Sequence, residues 1–162
     1  MMMEIEPIST AEGYDAPTVR QLSVFVENRV GQLLRLTKLF TQTDIRILAI
    51  SVVYSVDCAI CRMILDNPDR GFEVLTEAGF QVSQTELLVV SLPHGKRALL
   101  DTWAALLGAE INIHYVYALL VRPKGSAAIA LAPDNMEGAV EVLRERGFEV
   151  LNESDLDDTH GD

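Results

Sequence analysis

The residues of this chain best suited to hold a small charged molecule are Asn28-Arg29-Val30-Gly31-Gln32-Leu33. They follow an extended apolar run at 22–26. They lead into a helical repeat of Leu33, Leu36, Leu39 and Phe40, spaced by three and four. A helix start leaves backbone N–H groups without intrahelical acceptors, and a glycine there keeps side chains out of the way. The amides at 31–33 could hold a carboxylate, and the Asn28 amide oxygen could accept from an ammonium. A free amino acid offers both groups close together. Desolvated, such bonds are worth about 1.5–3 kcal/mol each when one partner is charged. The structural alternative is a turn in which Gly31 only relieves a crowded backbone.

A second such place is His94-Gly95-Lys96-Arg97, ahead of another apolar helix. Cations at a helix start oppose its dipole by about 0.3–1 kcal/mol, a cost that a bound anion would offset. Ile111-Asn112-Ile113-His114 lies beyond that helix, as Ile45-Arg46-Ile47-Leu48 lies beyond the first. His114 joins the candidate set at the border of the second pocket. Cys58 and Cys61 sit three apart at a strand entry, where they point to opposite faces. No second cysteine pair or His-x-x-x-His completes a zinc set, so both read as reduced structural thiols. The chain carries no Ser-His-Asp set, P-loop or Gly-x-Gly-x-x-Gly, and the histidines (His94, His114, His160) are scattered. We expect no enzyme, no metal and no cofactor.

These positions are organised by an internal repeat. Shifted by 68, Asp66-Asn67 meets Asp134-Asn135, Glu73-Val74-Leu75 meets Glu141-Val142-Leu143, and Glu77 meets Glu145. Gly79-Phe80 and Val82 meet Gly147-Phe148 and Val150, so nine of the 17 positions from 66 to 82 are identical without a gap. The chain is two copies of one unit. Each copy reads strand, helix, strand, strand, helix, strand. The third strands are at 59–65 and 127–131, the second helices at 68–78 and 134–146, and Gly79 and Gly147 end those helices. In copy two the first helix places Leu99, Trp103, Leu106 and Leu107 on one side, with Gly108 as its stop. The fold class is α+β: two ferredoxin-like βαββαβ units in tandem, antiparallel sheets with both helices on one face.

In residues 45–56, Ile45, Ile47, Ala49 and Val53 alternate with Leu48, Ile50, Val52 and Tyr54. Both faces are apolar and helices cover one, so something else covers the second. Residues 81–92 contain no Gly and no Pro. The last strand of copy one therefore passes almost directly into copy two, and the copies sit rigidly side by side or face to face. Sheet edges left open favour a homodimer.

The string VENRVGQLLRLTKLF followed by DIRILAISVV resembles the opening of an ACT domain, the amino-acid-sensing module of metabolic regulation. It is most similar to the regulatory small subunit of acetohydroxyacid synthase, over residues 20–66. The resemblance implies an amino acid bound at the 28–33 loop between domains, and a metabolic enzyme as partner. Those subunits carry an Asn in the following strand. Copy one has Arg46, followed by Ile47, at that place and copy two has Asn112, so the resemblance adds these three to the candidate ligand-binding residues and implies an asymmetric pair of sites.

The chain has 162 residues and a net charge of −11, much of it in the ends. Residues 1–18 hold Glu4, Glu6, Glu12 and Asp15, residues 153–162 hold Glu153, Asp155, Asp157, Asp158 and Asp162, and neither has a Lys or Arg. Both are expected to be disordered acidic tails, around ACT domains at 19–85 and 86–152. No basic face suits nucleic acid, and no apolar run suits a membrane span. The start lacks the pattern of a signal peptide, so the cytoplasm is the default expectation. The preferred reading is a non-catalytic regulator that binds a small amino acid. The alternatives are an acetohydroxyacid synthase regulatory subunit proper, and a structural dimerisation module that binds nothing.

Overall fold

A computed structural model describes residues 17–27 and 29–157. The expectations for Asn28, for His160 and for the outer parts of both tails lie outside the described residues.

Copy one runs β1 (Val19–Glu27), α1 (Gln32–Thr41), β2 (Ile47–Tyr54), β3 (Cys58–Leu65) and α2 (Pro68–Glu77), and enters β4 (Gln81–Ser91). Copy two continues with α3 (Ala98–Gly108), β5 (Ile113–Ala118), β6 (Ala128–Pro133), α4 (Met136–Glu145) and β7 (Val150–Leu151). The strand order is β2-β3-β1-β4-β6-β5, with β7 also beside β4 and every pairing antiparallel. This is the expected α+β tandem.

The duplicated residues carry duplicated local chemistry. Asn67 caps α2 by accepting from the Arg70 amide at 3.1 Å, and Asn135 caps α4 by accepting from the Gly138 amide at 3.0 Å. Both helices end on a left-handed glycine, Gly79 (φ 89) and Gly147 (φ 85). The Phe80 amide then reaches back to the Leu75 carbonyl, and the Phe148 amide to that of Leu143. Asp66 accepts from the Arg46 amide as Asp134 does from that of Asn112.

The junction between copies is one strand. Gln81 to Leu87 of β4 pair with β1, and Leu88 to Ser91 pair with β6. Boundaries at 85 and 86 thus fall inside a continuous strand, which holds the copies together. β7 lies on the β1 side of β4 and in line with β1, since Leu151 pairs Val89 and Val19 pairs Leu87.

Three apolar cores follow among the described residues. Leu22, Val24, Leu36, Phe40, Met63 and Leu75 fill the space under α1 and α2, and Leu88, Leu106, Leu131 and Leu143 the space under α3 and α4. The third core joins the two helix-free faces: Val19, Leu48, Ala49 and Ile64 of copy one meet Tyr117, Ala128, Ala130 and Leu151 of copy two. Each copy covers part of the open face of the other. The sheets pack face to face, and the outermost strands touch through an Ala49–Leu119 bridge and a 2.8 Å bond from the Leu120 amide to the Leu48 carbonyl.

Four details differ from the sequence-based expectations. Leu48 is the extra residue of a β-bulge between Ile47 and Ala49, so alternation resets there. Ile47 faces the helices with Ile50 and Val52, while Leu48 and Ala49 face the other sheet. His114 is the extra residue of the matching bulge in β5. In α3 the buried side is Ala98, Thr102, Ala105 and Leu106, whereas Leu99 and Leu107 are exposed. That helix is apolar around most of its circumference, so the residue pattern alone does not mark its buried side. It ends at Gly108 as expected, but the left-handed residue that closes it is Glu110 (φ 57), whose successor Ile111 donates to the Leu106 carbonyl.

The fourth difference is at the C-terminus, where residues 153–157 are not a tail. Glu153–Asp157 form a short helix, α5, whose Leu156 is 2% exposed in the inter-sheet core. Asn152 and Asp155 exchange amide-to-side-chain bonds at its start.

Candidate functional site

The Gly31 loop joins the end of β1 to the start of α1. Gly31 is left-handed (φ 90), a backbone region that L side chains rarely adopt, and a Cβ built there meets nothing within 4 Å. Among the described residues no side chain caps α1. Its ladder begins with the Arg35 amide donating to the Gly31 carbonyl at 2.9 Å. The Gln32 amide donates to the Arg29 carbonyl at 3.3 Å, and the amides of Gly31, Leu33 and Leu34, which have no acceptor among the described residues, are the ones a ligand could engage.

These amides border a cleft of about 340 Å³ lined by Val26, Arg29, Gly31, Leu33, Tyr54 and Ala59, with Glu27, Val30, Gln32 and Leu34 around them. Arg29 is ion-paired with Glu27 and both are largely exposed. Behind the cleft the Arg35 guanidinium lies 4.5 Å over the Phe80 ring and donates to the Ala78 carbonyl at 3.0 Å, tying α1 to the end of α2. Arg29, Val30, Gly31, Gln32 and Leu33 thus share one place.

Arg46 and Ile47 do not join them. β2 starts where β3 ends, Ile47 opposite Leu65, and finishes beside the Gly31 end, Tyr54 opposite Ala59. The two groups lie at opposite ends of the sheet. Copy two repeats this separation: Ile113 pairs with Pro133 at one end of β6, while Ser91, which leads to His94, pairs with Ala128 at the other. Asn112 donates through its backbone and its side-chain amide to Asp134. His94, Gly95 and Lys96 are exposed, and Gly95 is left-handed (φ 115). The exposed His114 sits on its bulge nearer Asn112.

The cleft at the His94 end of copy two has about 520 Å³ and is lined by Ser91, Pro93, Asp101, Ser126, Arg146 and Glu149 among others. Arg146 and Ser126 were not singled out from the sequence. Arg146 follows α4 at the place of Ala78, so aligning the two copies position by position would have pointed to it.

Cys61 is buried in the core under α1, and burial pushes its thiol up to about 11, while Cys58 is half-buried; both are free. Among the described residues no group of His, Cys, Asp or Glu is arranged to hold a metal, and no helix is long and apolar enough to cross a membrane.

A βαββαβ unit repeated around a shared strand, with a glycine loop between the first strand and helix, defines a paired ferredoxin-like fold of the ACT type. The profile of the ACT domain pair matches residues 17–159, and this chain belongs to that family. Protein BT0572 from Bacteroides thetaiotaomicron is similar in crystal structure, at 29% identity and TM-score 0.78 over 86% of this chain and 96% of that one. The regulatory subunit of aspartate kinase from Thermus thermophilus, ligand-free, shares 10% identity and a TM-score of 0.56 over 79% and 92%. That of Thermus flavus shares 10% and 0.51 over 78% and 90%. The last two likenesses are of fold. No curated protein matches the chain.

Proposed function

We propose that this protein is a non-catalytic regulator that binds a small free amino acid in the Gly31 cleft and passes that signal to a metabolic partner. One contrast carries the reading. α2 and α4 are closed by the side chains of Asn67 and Asn135, whereas α1 begins at a left-handed glycine with no side-chain cap among the described residues, beside a cleft. A ligand carboxylate suits the amides of that first turn. Val26, Leu33 and Ala59 suit an aliphatic side chain, and Asn28 is the candidate acceptor for the ammonium.

Val30, Leu34, Tyr54 and Val56 are exposed around this mouth. A second copy packed over them would close the site, which supports a homodimer with ligand at its interface. Ligand would then favour one packing by its differential affinity for the two. The resemblance to acetohydroxyacid synthase small subunits is confined to residues 20–66, while the family match spans both copies, so the partner is proposed only as a metabolic enzyme. Calorimetric titration of the purified protein with each of the twenty amino acids tests the reading. Saturable binding of at least one supports it, and heats of dilution throughout oppose it.

A further inference from the structure

The helix-free face of the copy-one sheet is only partly covered by copy two, and where the cover ends the residues change character. Reading across the strands at one level, Ser51 of β2 stands opposite Arg62 of β3, Arg62 opposite Ser23 of β1, and Ser23 opposite Ser83 of β4. All four share a face, with side chains roughly 5 Å apart between neighbouring strands. One level deeper, Ala49 and Ile64 belong to the inter-sheet core and Gln21 is 1% exposed. One level outward, Val53, Ile60 and Phe25 form an apolar row, with Val53 and Phe25 among the exposed hydrophobics.

Arg62 is the unusual member. Its guanidinium lies 3.8 Å from the Tyr115 ring centroid, across the gap between the sheets, so copy two fixes its plane. Among the described residues only Arg20 and Arg62 are cations that are not exposed. Arg20 holds the carboxylates of Glu153 and Asp69. Arg62 has no carboxylate and no acceptor for its N–H fork among the described residues, in a chain of net charge −11. Beside it Ser23 is 8% exposed; the two hydrogens of Gln21 Nε2 go to the nearer Tyr115 Oη and Thr85 Oγ1, with Ser23 Oγ farther off at 3.4 Å, so the Ser23 hydroxyl keeps its hydrogen to donate. A planar guanidinium held by stacking, with hydroxyl donors on either side, is shaped for a carboxylate.

We propose that Arg62, with Ser23 and Ser51, forms a second ligand site at the open margin of the inter-sheet gap. It takes a small organic carboxylate whose aliphatic part lies on Phe25, Ile60 and Val53. The Arg62 fork and the two hydroxyls hold the anion, and the Tyr115 stack couples its occupancy to the packing of the two copies. The site is separate from the Gly31 cleft, whose linings it does not share.

The test is an amide chemical-shift titration of the full chain with 3-methylbutanoate, and in parallel with its neutral amide. The expected result is saturable shifts at Ser23, Ser51, Arg62 and Phe25 with the carboxylate and none with the amide. Arg62→Gln, with a native spectrum, should weaken binding at least about tenfold. Should Arg62→Gln lose the native spectrum, Arg62→Lys decides, since it keeps the charge and loses the planar fork. It too should bind about tenfold more weakly. Unmoved amides at these positions, shifts confined to Gly31 and Gln32, equal shifts with the amide, or unweakened binding by a folded Arg62 variant would each overturn the proposal.

Discussion

The Arg20 guanidinium meets the Glu153 carboxylate edge to edge, Nε to Oε1 at 2.7 Å and Nη2 to Oε2 at 2.9 Å, and the Arg20 backbone amide adds a third bond at 3.0 Å. The first residues of the fold are thereby clasped to its last helix, at the point where β7 runs in line with β1. The side-chain bond from Arg20 holds the Glu153 carboxyl below the usual carboxylate range, against a desolvation that acts the other way. A carboxylate with a depressed folded pKa contributes stability above its unfolded pKa of about 4.3, and loses it as pH falls through the folded value.

Glu153→Gln should therefore lower the melting temperature at pH 7 and cost progressively less as pH falls below about 4. The Glu153 side chain is 36% exposed, so solvent screening limits the effect to about 1 kcal/mol, or about 2–4 °C. Melting curves of both proteins from pH 7 to about pH 3 check this. A difference that is independent of pH would mean that the pair does not supply the stability.

Leu156 tests the role of the short C-terminal helix. Its side chain fills the inter-sheet core with Val19, Tyr117 and Leu151. Leu156→Ala should cost about 2–4 kcal/mol in denaturant unfolding, whereas the substitution of an exposed tail residue would stay within about 0.5 kcal/mol.

Between the sheets, Tyr117 Oη donates to Gln21 Oε1 at 2.6 Å, and Gln21 Nε2 donates to Tyr115 Oη at 2.9 Å and Thr85 Oγ1 at 3.2 Å. Tyr117→Phe leaves a buried amide oxygen without its donor and should cost about 1–3 kcal/mol. Gln21→Leu with Tyr117→Phe should cost less than the sum of the two single changes, because both unpaired groups are then gone. Burial also raises the Tyr117 pKa, so this phenol should ionise last in an alkaline spectrophotometric titration.

The thiols should separate by environment. In the native protein Cys58 should react readily with a disulfide reagent at pH 8. Cys61, with its pKa pushed up to about 11, should react only on unfolding. Both reacting at one rate in the native state would contradict the placement of Cys61 under α1.

Much of this fold can be read from the residues. The Asp66-Asn67 and Asp134-Asn135 pairs become matching helix caps, and the two Gly-Phe pairs become matching helix ends. The unbroken run from 81 to 92 becomes the strand that the copies share. What escaped depends on depth and direction rather than residue type. Composition made Glu153 to Asp157 look like more acidic tail, because one leucine that finds a core carries no local signal. The bulges at Leu48 and His114 reset an alternation that the sequence displays as continuous.

Arg46 and Asn112 were grouped with the glycine loops, although a helix of ten residues is about 15 Å long. The strand that follows it must start at the far end of the sheet. That inference needed only the helix length.

The central claim is that the Gly31 cleft binds an amino acid, and a melting-temperature screen of the twenty amino acids tests it most directly. A ligand at a hundred times its dissociation constant stabilises by about 2.7 kcal/mol, or about 5–11 °C for a chain of this size. At least one amino acid should produce that shift. Gly31→Val should abolish it by filling the carboxylate position, and Asn28→Ala should weaken it by at least about 1 kcal/mol with the unliganded melting point nearly unchanged. No shift from any of the twenty, or an undiminished shift in Asn28→Ala, would contradict the assignment of this cleft as the sensor.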